Sequence, residues 1–257
     1  MKTAQIQFNI AWENPDANFE KVNALLADVP QDTDCIILPE MFTTGFTMKP
    51  ELIPLLSEQR MVEIMVVWAK EKDALVLGSC AIQEGKKYVN KLIWVKPSGE
   101  HGFYNKRHLF RMAGEDEKYT AGSKPEVVHF RGFKIALYVC YDLRFPVWSR
   151  NTEMVDLMVY VANWPAVRIH AWDALLTARA IENGCYSIGV NRVGEDGNGV
   201  LYNGHSACYD YKGDPLYAVW ENEGVQVCTL NQTELTDFRK KFPAHLDADK
   251  FSIHTES

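Results

Sequence analysis

The sequence predicts an α/β protein in which helices cover the faces of mixed β-sheets. Three observations carry this. Segments with apolar residues at helical spacing alternate with strand-like segments along most of the chain. Several of the strands are apolar at every position, as sheets buried on both faces require. Hairpins such as "EVVHFRGFKIALYVC", which turns at Arg131 and Gly132, add antiparallel pairs and make the sheets mixed rather than purely parallel.

Taken in order, Thr3–Ile10 ("TAQIQFNI") alternates polar and apolar residues as a half-buried strand does. Phe19, Val22, Leu25 and Leu26 then recur at helical spacing, with Asp16 or Asn18 expected as the N-cap. "CIILPE", Cys35–Glu40, is a short apolar strand that ends on a carboxylate. Ser57–Lys70 is expected to form a second helix and Ala74–Gln83 a third strand. The turn Glu84-Gly85-Lys86 leads into its hairpin partner, "YVNKLIWVKPSGE". After Lys106 the rhythm resumes with the hairpin Glu126–Cys140 and the buried strand Asp156–Asn163. A helix over His170–Gly184 closes on Gly184, a residue that tolerates the positive φ of a helix end. Strands at Tyr186–Val193, His205–Tyr211 and Leu216–Leu230 and a last short helix from about Thr233 complete the pattern. With no repeat, low-complexity tract or linker, residues 1–257 are expected to form one domain.

The chain is 47% hydrophobic, which supplies a large core and excludes a disordered or disulfide-scaffolded protein. A net charge of −7 and the lack of any basic run argue against nucleic acid or an anionic membrane as partner. "MKTAQIQFNIAWENPD" lacks the apolar core of a signal peptide, and no stretch approaches the ~20 apolar residues of a membrane span. Cys35, Cys80, Cys140, Cys185, Cys208 and Cys228 lie far apart without a CxxC pair, and the seven histidines show no ligand spacing. We expect free thiols, a cytoplasmic setting, and neither metal nor cofactor.

"YVCYDLRFP", Tyr138–Pro146, places Cys140 where an apolar strand stops. A cysteine there is either one more buried sulfur or a nucleophile. Acyl transfer by a thiol needs a thiolate, a proton shuttle and oxyanion donors. A helical turn over Asp142–Pro146 would depress the thiol pKa and aim the Tyr141 N–H at an oxyanion. His108 and His205 are available as bases, but the surroundings of papain-like cysteines are absent. Two other strand ends carry charge among apolar residues: Glu40 in "IILPEMFTTGF" and Lys106 in "GFYNKRHLF". Either alone is ordinarily solvated. Open α/β sheets bind ligands beyond the carboxyl ends of their strands, so the three could meet in one dry cleft and shift one another's pKa values.

Glu40 in "LPEMFTTGF", Lys106 in "YNKRHLF" and Cys140 in "VCYDLRFP", with the later "ANWP" and "HAWDALLTARAIEN", resemble the nitrilase, or carbon–nitrogen hydrolase, superfamily in its Glu–Lys–Cys order. The resemblance spans Thr3 to about Leu230 and is nearest the omega-amidase branch, through "YNKRHLFRMAGEDEKYTAG" and "VCYDLRFPVWSRN". It implies a four-layer α-β-β-α sandwich, a homodimer formed through helices, and hydrolysis of a small amide such as 2-oxoglutaramate or 2-oxosuccinamate through a thioester. Glu40 would be base and acid, Lys106 with the Tyr141 N–H the oxyanion site, and Glu115 a second glutamate near the triad. Phe42, Asn163 and Trp164 are expected to line the pocket. Arg107, Arg111, Arg144 and Arg168 are candidate partners for a substrate carboxylate, although Asp142 and Arg144 also suit a cap and an ion pair that hold the turn. The tail, residues 243–257, is expected to be extended, frayed or crossing to a partner subunit. Two alternatives stay open: a superfamily hydrolase of nitriles, N-carbamoyl compounds or other amides, and a binding module with little turnover.

Overall fold

In chain order the computed structural model, which describes residues 1–217 and 220–254, begins with β1 (Lys2–Gln7), α1 (Pro15–Ala27), β2 (Cys35–Ile37), α2 (Glu58–Lys72), β3 (Leu75–Glu84), β4 (Lys87–Val95) and β5 (His101–Asn105). A short helix α3 (Glu115–Lys118) precedes β6 (Val127–Phe130), β7 (Phe133–Val139), β8 (Leu157–Val161), α4 (Ile169–Asn183) and β9 (Tyr186–Val190). The chain closes with β10 (Val193–Glu195), β11 (Leu201–Asn203), β12 (Ala207–Tyr209), β13 (Gly224–Thr229) and α5 (Gln232–Lys241).

Local chemistry sets the helix ends. Asn14, not Asp16 or Asn18, caps α1: its side chain accepts the Ala17 N–H at 3.2 Å, with Pro15 at the first helical position. Asn18 is instead buried and donates to the carbonyls of Ala11 and Thr43. Ser57 caps α2, and Gly184 ends α4 in the left-handed conformation.

The strands form two mixed sheets, β13-β1-β2-β3-β4-β5 and β12-β9-β8-β7-β6. In both, two adjoining parallel pairs are flanked by antiparallel ones. Side-chain alternation assigns the faces. Cys35, Ile37, Leu75, Leu77, Leu92 and Trp94 pack with Ile135, Leu137 and Val139 of the second sheet. Their neighbours Ile36, Val76, Ile93 and Val95 pack with Val22 and Leu26 of α1 and with Met65 and Trp68 of α2. On the far side α4 lies close to the second sheet, because Gly189 leaves room for Trp172 and Leu176. The result is the α-β-β-α sandwich.

Several strands are shorter than the sequence suggests: β1 ends at Gln7, β2 at Ile37 and β12 spans only Ala207–Tyr209, and β9 and β13 are cut short as well. Pairing stops at Val190 because Asn191 turns its side chain to the backbone of Trp164 and Gly204, and Val193 opens a separate hairpin, β10–β11. Of Leu216–Leu230, only Gly224–Thr229 forms a strand, against β1, and residues 218–219 of that stretch lie outside the described residues. In the tail, Ala244–Asp247 makes one 3₁₀ turn and residues up to 254 are exposed; 255–257 lie outside the described residues. Among the described residues no helix is long and apolar enough to cross a membrane.

Candidate active site

Four strand ends supply the site. Glu40 follows β2 by three residues, Lys106 follows β5 directly, Cys140 follows β7 directly and Asn163 lies two residues beyond β8. Cys140 has φ of +45°, a strained value for a non-glycine residue, and opens a 3₁₀ turn, Cys140–Arg144. Asp142 holds that turn. Its Oδ2 accepts the Val139 N–H at 3.0 Å and the Tyr104 hydroxyl at 2.7 Å, and its Oδ1 accepts the His108 N–H at 2.9 Å. His108 Nδ1 lies 2.7 Å from the same Oδ1 with its ring stacked on Phe145, so this histidine serves Asp142 rather than the cysteine. His205 is likewise committed elsewhere, to Asp173 and Glu221.

Around the sulfur stands a fully buried charge cluster. Lys106 Nζ lies 2.8 Å from Glu40 Oε1 and 3.0 and 2.9 Å from the two oxygens of Glu115; all three side chains are 0% exposed. Glu40 Oε2 accepts the Asn163 N–H at 2.8 Å, and Glu115 Oε2 accepts the Phe110 N–H at 2.6 Å. Glu115 is therefore no part of a solvated loop: it starts α3 with its side chain turned inward. Burial opposes the charge on Lys106, but Glu115, Glu40 and the sulfur more than offset it and hold its pKa above the ordinary lysine value. Burial, reinforced by Glu40 and opposed by Lys106, raises the Glu115 carboxyl. Cys140, 9% exposed, departs from expectation: burial and then the charge of Glu40 push its thiol well up, against the pull of Lys106. The 3₁₀ turn is too short to reverse that.

Cys140 lines a cavity of about 510 Å³ together with Tyr141, Asn163 and Trp164. Of the four candidate cations, Arg144 and Arg168 line it, each stacked over an aromatic ring that also lines it, Trp164 at 5.0 Å and Phe110 at 5.1 Å. Neither arginine forms an ion pair among the described residues, so the expected Arg144 pairing is replaced by this stacking. Arg107 binds the Gly122 carbonyl over Trp148, and Arg111 faces Asp116, both away from the cavity lining. Phe42 is also elsewhere: it is fully buried in the core between Phe19 and Trp68, because its position puts it on the helix-facing side of the first sheet. Two carboxylates line the cavity, and both are engaged: Asp196 accepts from Tyr202 and two backbone N–H groups, Glu13 from Thr47. Asn90, which sequence reasoning passed over, donates to both Glu40 and Glu115. Its one sequence signal is an amide, next to Lys91, in a strand whose remaining length from Leu92 to Val95 is apolar. Among the described residues no three His, Cys, Asp or Glu side chains are grouped to hold a metal ion.

The chain belongs to the carbon–nitrogen hydrolase family, whose model matches residues 2–240, and it is a hydrolase acting on non-peptide carbon–nitrogen bonds. It is 44% identical over 254 residues to the omega-amidase YafV of Yersinia enterocolitica, covering 98% of each chain. It is 29% identical to the 2-oxoglutaramate amidase of Bacillus subtilis, with 95% and 96% covered. Among solved structures it superposes on XC1258 of Xanthomonas campestris, a CN-hydrolase superfamily protein with an arsenic adduct in its active site. That match has a TM-score of 0.95, 37% identity and 99% of both chains covered.

Proposed function

We propose that the protein is a cysteine-dependent amidase that releases ammonia from the ω-amide of 2-oxoglutaramate or 2-oxosuccinamate. One observation carries the reading: Cys140, set against the buried Glu40–Lys106–Glu115 cluster, lines a cavity that also presents two arginines paired with no carboxylate among the described residues. The first part suits acyl transfer, the second a substrate that brings its own carboxylate. Relatives whose names specify an omega-amidase and a 2-oxoglutaramate amidase match the chain almost end to end, which supports the same choice. Engagement of Asp196 and Glu13 within the protein favours a keto acid over the corresponding amino acid, because neither carboxylate is left wholly free for an ammonium.

With its thiol raised by burial, Cys140 loses its proton to Glu40 as Sγ bonds to the amide carbon, and the carbonyl electron pair moves onto oxygen. Lys106 Nζ and the Tyr141 N–H, which has no acceptor within its own 3₁₀ turn, stabilise that oxygen. The carbon–nitrogen bond breaks as Glu40 returns the proton to nitrogen, ammonia leaves, and the acyl group stays on sulfur as a thioester. Water then yields a proton to Glu40 while its oxygen attacks, the carbon–sulfur bond breaks, and the proton returns to sulfur. Glu115 holds Lys106 from the other side, and Arg144 or Arg168 takes the substrate carboxylate. The proposed setting is cytoplasmic, in keeping with six unpaired thiols, and the proposed assembly is a homodimer.

Ammonia release is to be measured from 2-oxoglutaramate, glutamine, a simple nitrile and an N-carbamoyl amino acid, with Cys140→Ala beside wild type. Selective turnover of 2-oxoglutaramate, lost in the variant, is expected. Turnover of one of the others instead would overturn the substrate, and none at all from unmodified protein would overturn the reaction.

A further inference from the structure

Asn90 sits in mid-β4, fully buried, and has no part in the reaction just described. Its surroundings leave its amide one orientation. The Met41 N–H donates to Ser79 Oγ at 2.9 Å, so that oxygen is already an acceptor, and the Ser79 hydroxyl proton goes to Asn90 Oδ1, also at 2.9 Å. Both Nδ2 protons must then face the carboxylates. Nδ2 lies 2.8 Å from Glu40 Oε1 and 3.2 Å from Glu115 Oε1. Those two oxygens are the ones Lys106 reaches at 2.8 and 3.0 Å. The pair is bridged twice, once by an ammonium and once by a neutral amide.

We infer that Asn90 is a positioning residue: its amide, locked by Ser79, donates to Glu40 and Glu115 at once and so favours the charged form of the pair, leaving Glu40 able to take the proton of Cys140. The inference rests on Glu40 as the base in the proposed reaction. Two carboxylates in one dry site share a proton unless donors hold both charges, and Lys106 brings only one positive charge. The other titratable groups facing the pair do not help. Cys140, from the turn after β7, and Tyr119, after α3, each become negative if they ionise, and burial keeps both protonated. The Asn163 and Phe110 N–H groups each reach only one of the two carboxylates. An aspartate at position 90 would add a third negative charge, and a leucine would leave Lys106 alone. Asn90 therefore supplies the missing donor without adding charge.

The test follows alkylation of Cys140 by iodoacetamide, read by intact mass across pH, in wild type, Asn90→Leu and Ser79→Ala, with Cys140→Ala as the blank. Alkylation needs no natural substrate, so failure of the amidase reading leaves this test standing. Removing a donor from charged carboxylates raises their joint pKa, so the acid limb should move to higher pH by about one unit in Asn90→Leu. Ser79→Ala should move it less, in the same direction, by freeing the amide to turn. Where ammonia release is measurable, its acid limb should follow while KM stays unchanged, since neither residue lines the cavity. An unmoved limb in Asn90→Leu that melts like wild type would make Asn90 a packing residue and overturn the inference. If Asn90→Leu does not fold, an unmoved limb in Ser79→Ala has the same force.

Discussion

At the residue scale, Lys106 is one ammonium holding two carboxylates where water does not reach. Lys106→Ala should lower kcat by about 10²–10³ or more if the proposed oxyanion contact is lost with it. It should also destabilise the fold by about 3–5 kcal/mol, because it leaves two buried charges without their cation. Turnover and thermal melting read the two effects separately. Glu115 gives the pH signature. Its carboxyl is raised by burial above its ordinary 4.5, so the native state binds the proton more tightly than the unfolded chain does. Its stabilising share is complete below about 4.5 and is lost as pH rises through the folded pKa. The melting temperature of wild type minus that of Glu115→Gln should accordingly fall as pH rises from 4.5 to neutrality, and a flat or rising difference would contradict the assignment. At this scale the sequence was partly legible. Glu40, Lys106 and Cys140 stand out as charge or sulfur at apolar strand ends, whereas nothing in the acidic run "GEDEK" itself separates Glu115 from Asp116 and Glu117, and only the family resemblance points to it.

At the scale of elements, the 3₁₀ turn that carries Cys140 is held by one side chain. Asp142→Ala would leave the Val139 and His108 N–H groups and the Tyr104 hydroxyl without their acceptor. At about 1–3 kcal/mol per buried orphan, and roughly 2–4 °C per kcal/mol for a chain of this size, melting should fall by many degrees. The end of β5 has its own constraint. Gly122 donates its N–H to the Lys106 carbonyl at 2.8 Å, and a Cβ there would lie 2.1 Å from the Asn105 carbonyl oxygen. Since that atom is backbone, Gly122→Ala should displace Lys106 and cost about 10² in kcat, as misplacements near 1 Å do. Unchanged turnover would show that the loop gives way instead. Element positions read well from periodicity, whereas their ends did not: Asn14 caps α1 because the chain turns there, and β9 stops where Asn191 finds backbone partners in another loop.

At the scale of the whole molecule, the two sheets repeat one pairing pattern, although the sequence carries no detectable repeat. The repetition lies in hydrogen bonding, which many sequences satisfy. The proposed dimer belongs here too. Val147 and Phe251 are 60% and 45% exposed and border one groove with Trp148 and Ile253. Light scattering on eluting protein should give twice the chain mass for wild type and a shift toward monomer for Val147→Glu with Phe251→Glu. A wild-type monomer would remove the dimer from the proposal.

The sequence by itself determined the α/β class, the helix-covered strands, and the three residue types at strand ends: a thiol, a carboxylate and a cation. Those depend on local periodicity and composition, which need no contacts to be read. Only the tertiary structure decided which buried charges matter. Lys91 and Lys106 are both buried lysines between two glutamates, fifteen positions apart in sequence. Lys91 points from β4 toward α2 and meets carboxylates that are 36% and 44% exposed. Lys106 meets two that are wholly buried beside Cys140. The same packing put Phe42 in the core, brought Arg144 and Arg168 to one cavity, and raised a thiol that local reasoning expected to be low. Burial and the sign of the nearest charge set each outcome, and both are properties of distant segments brought together.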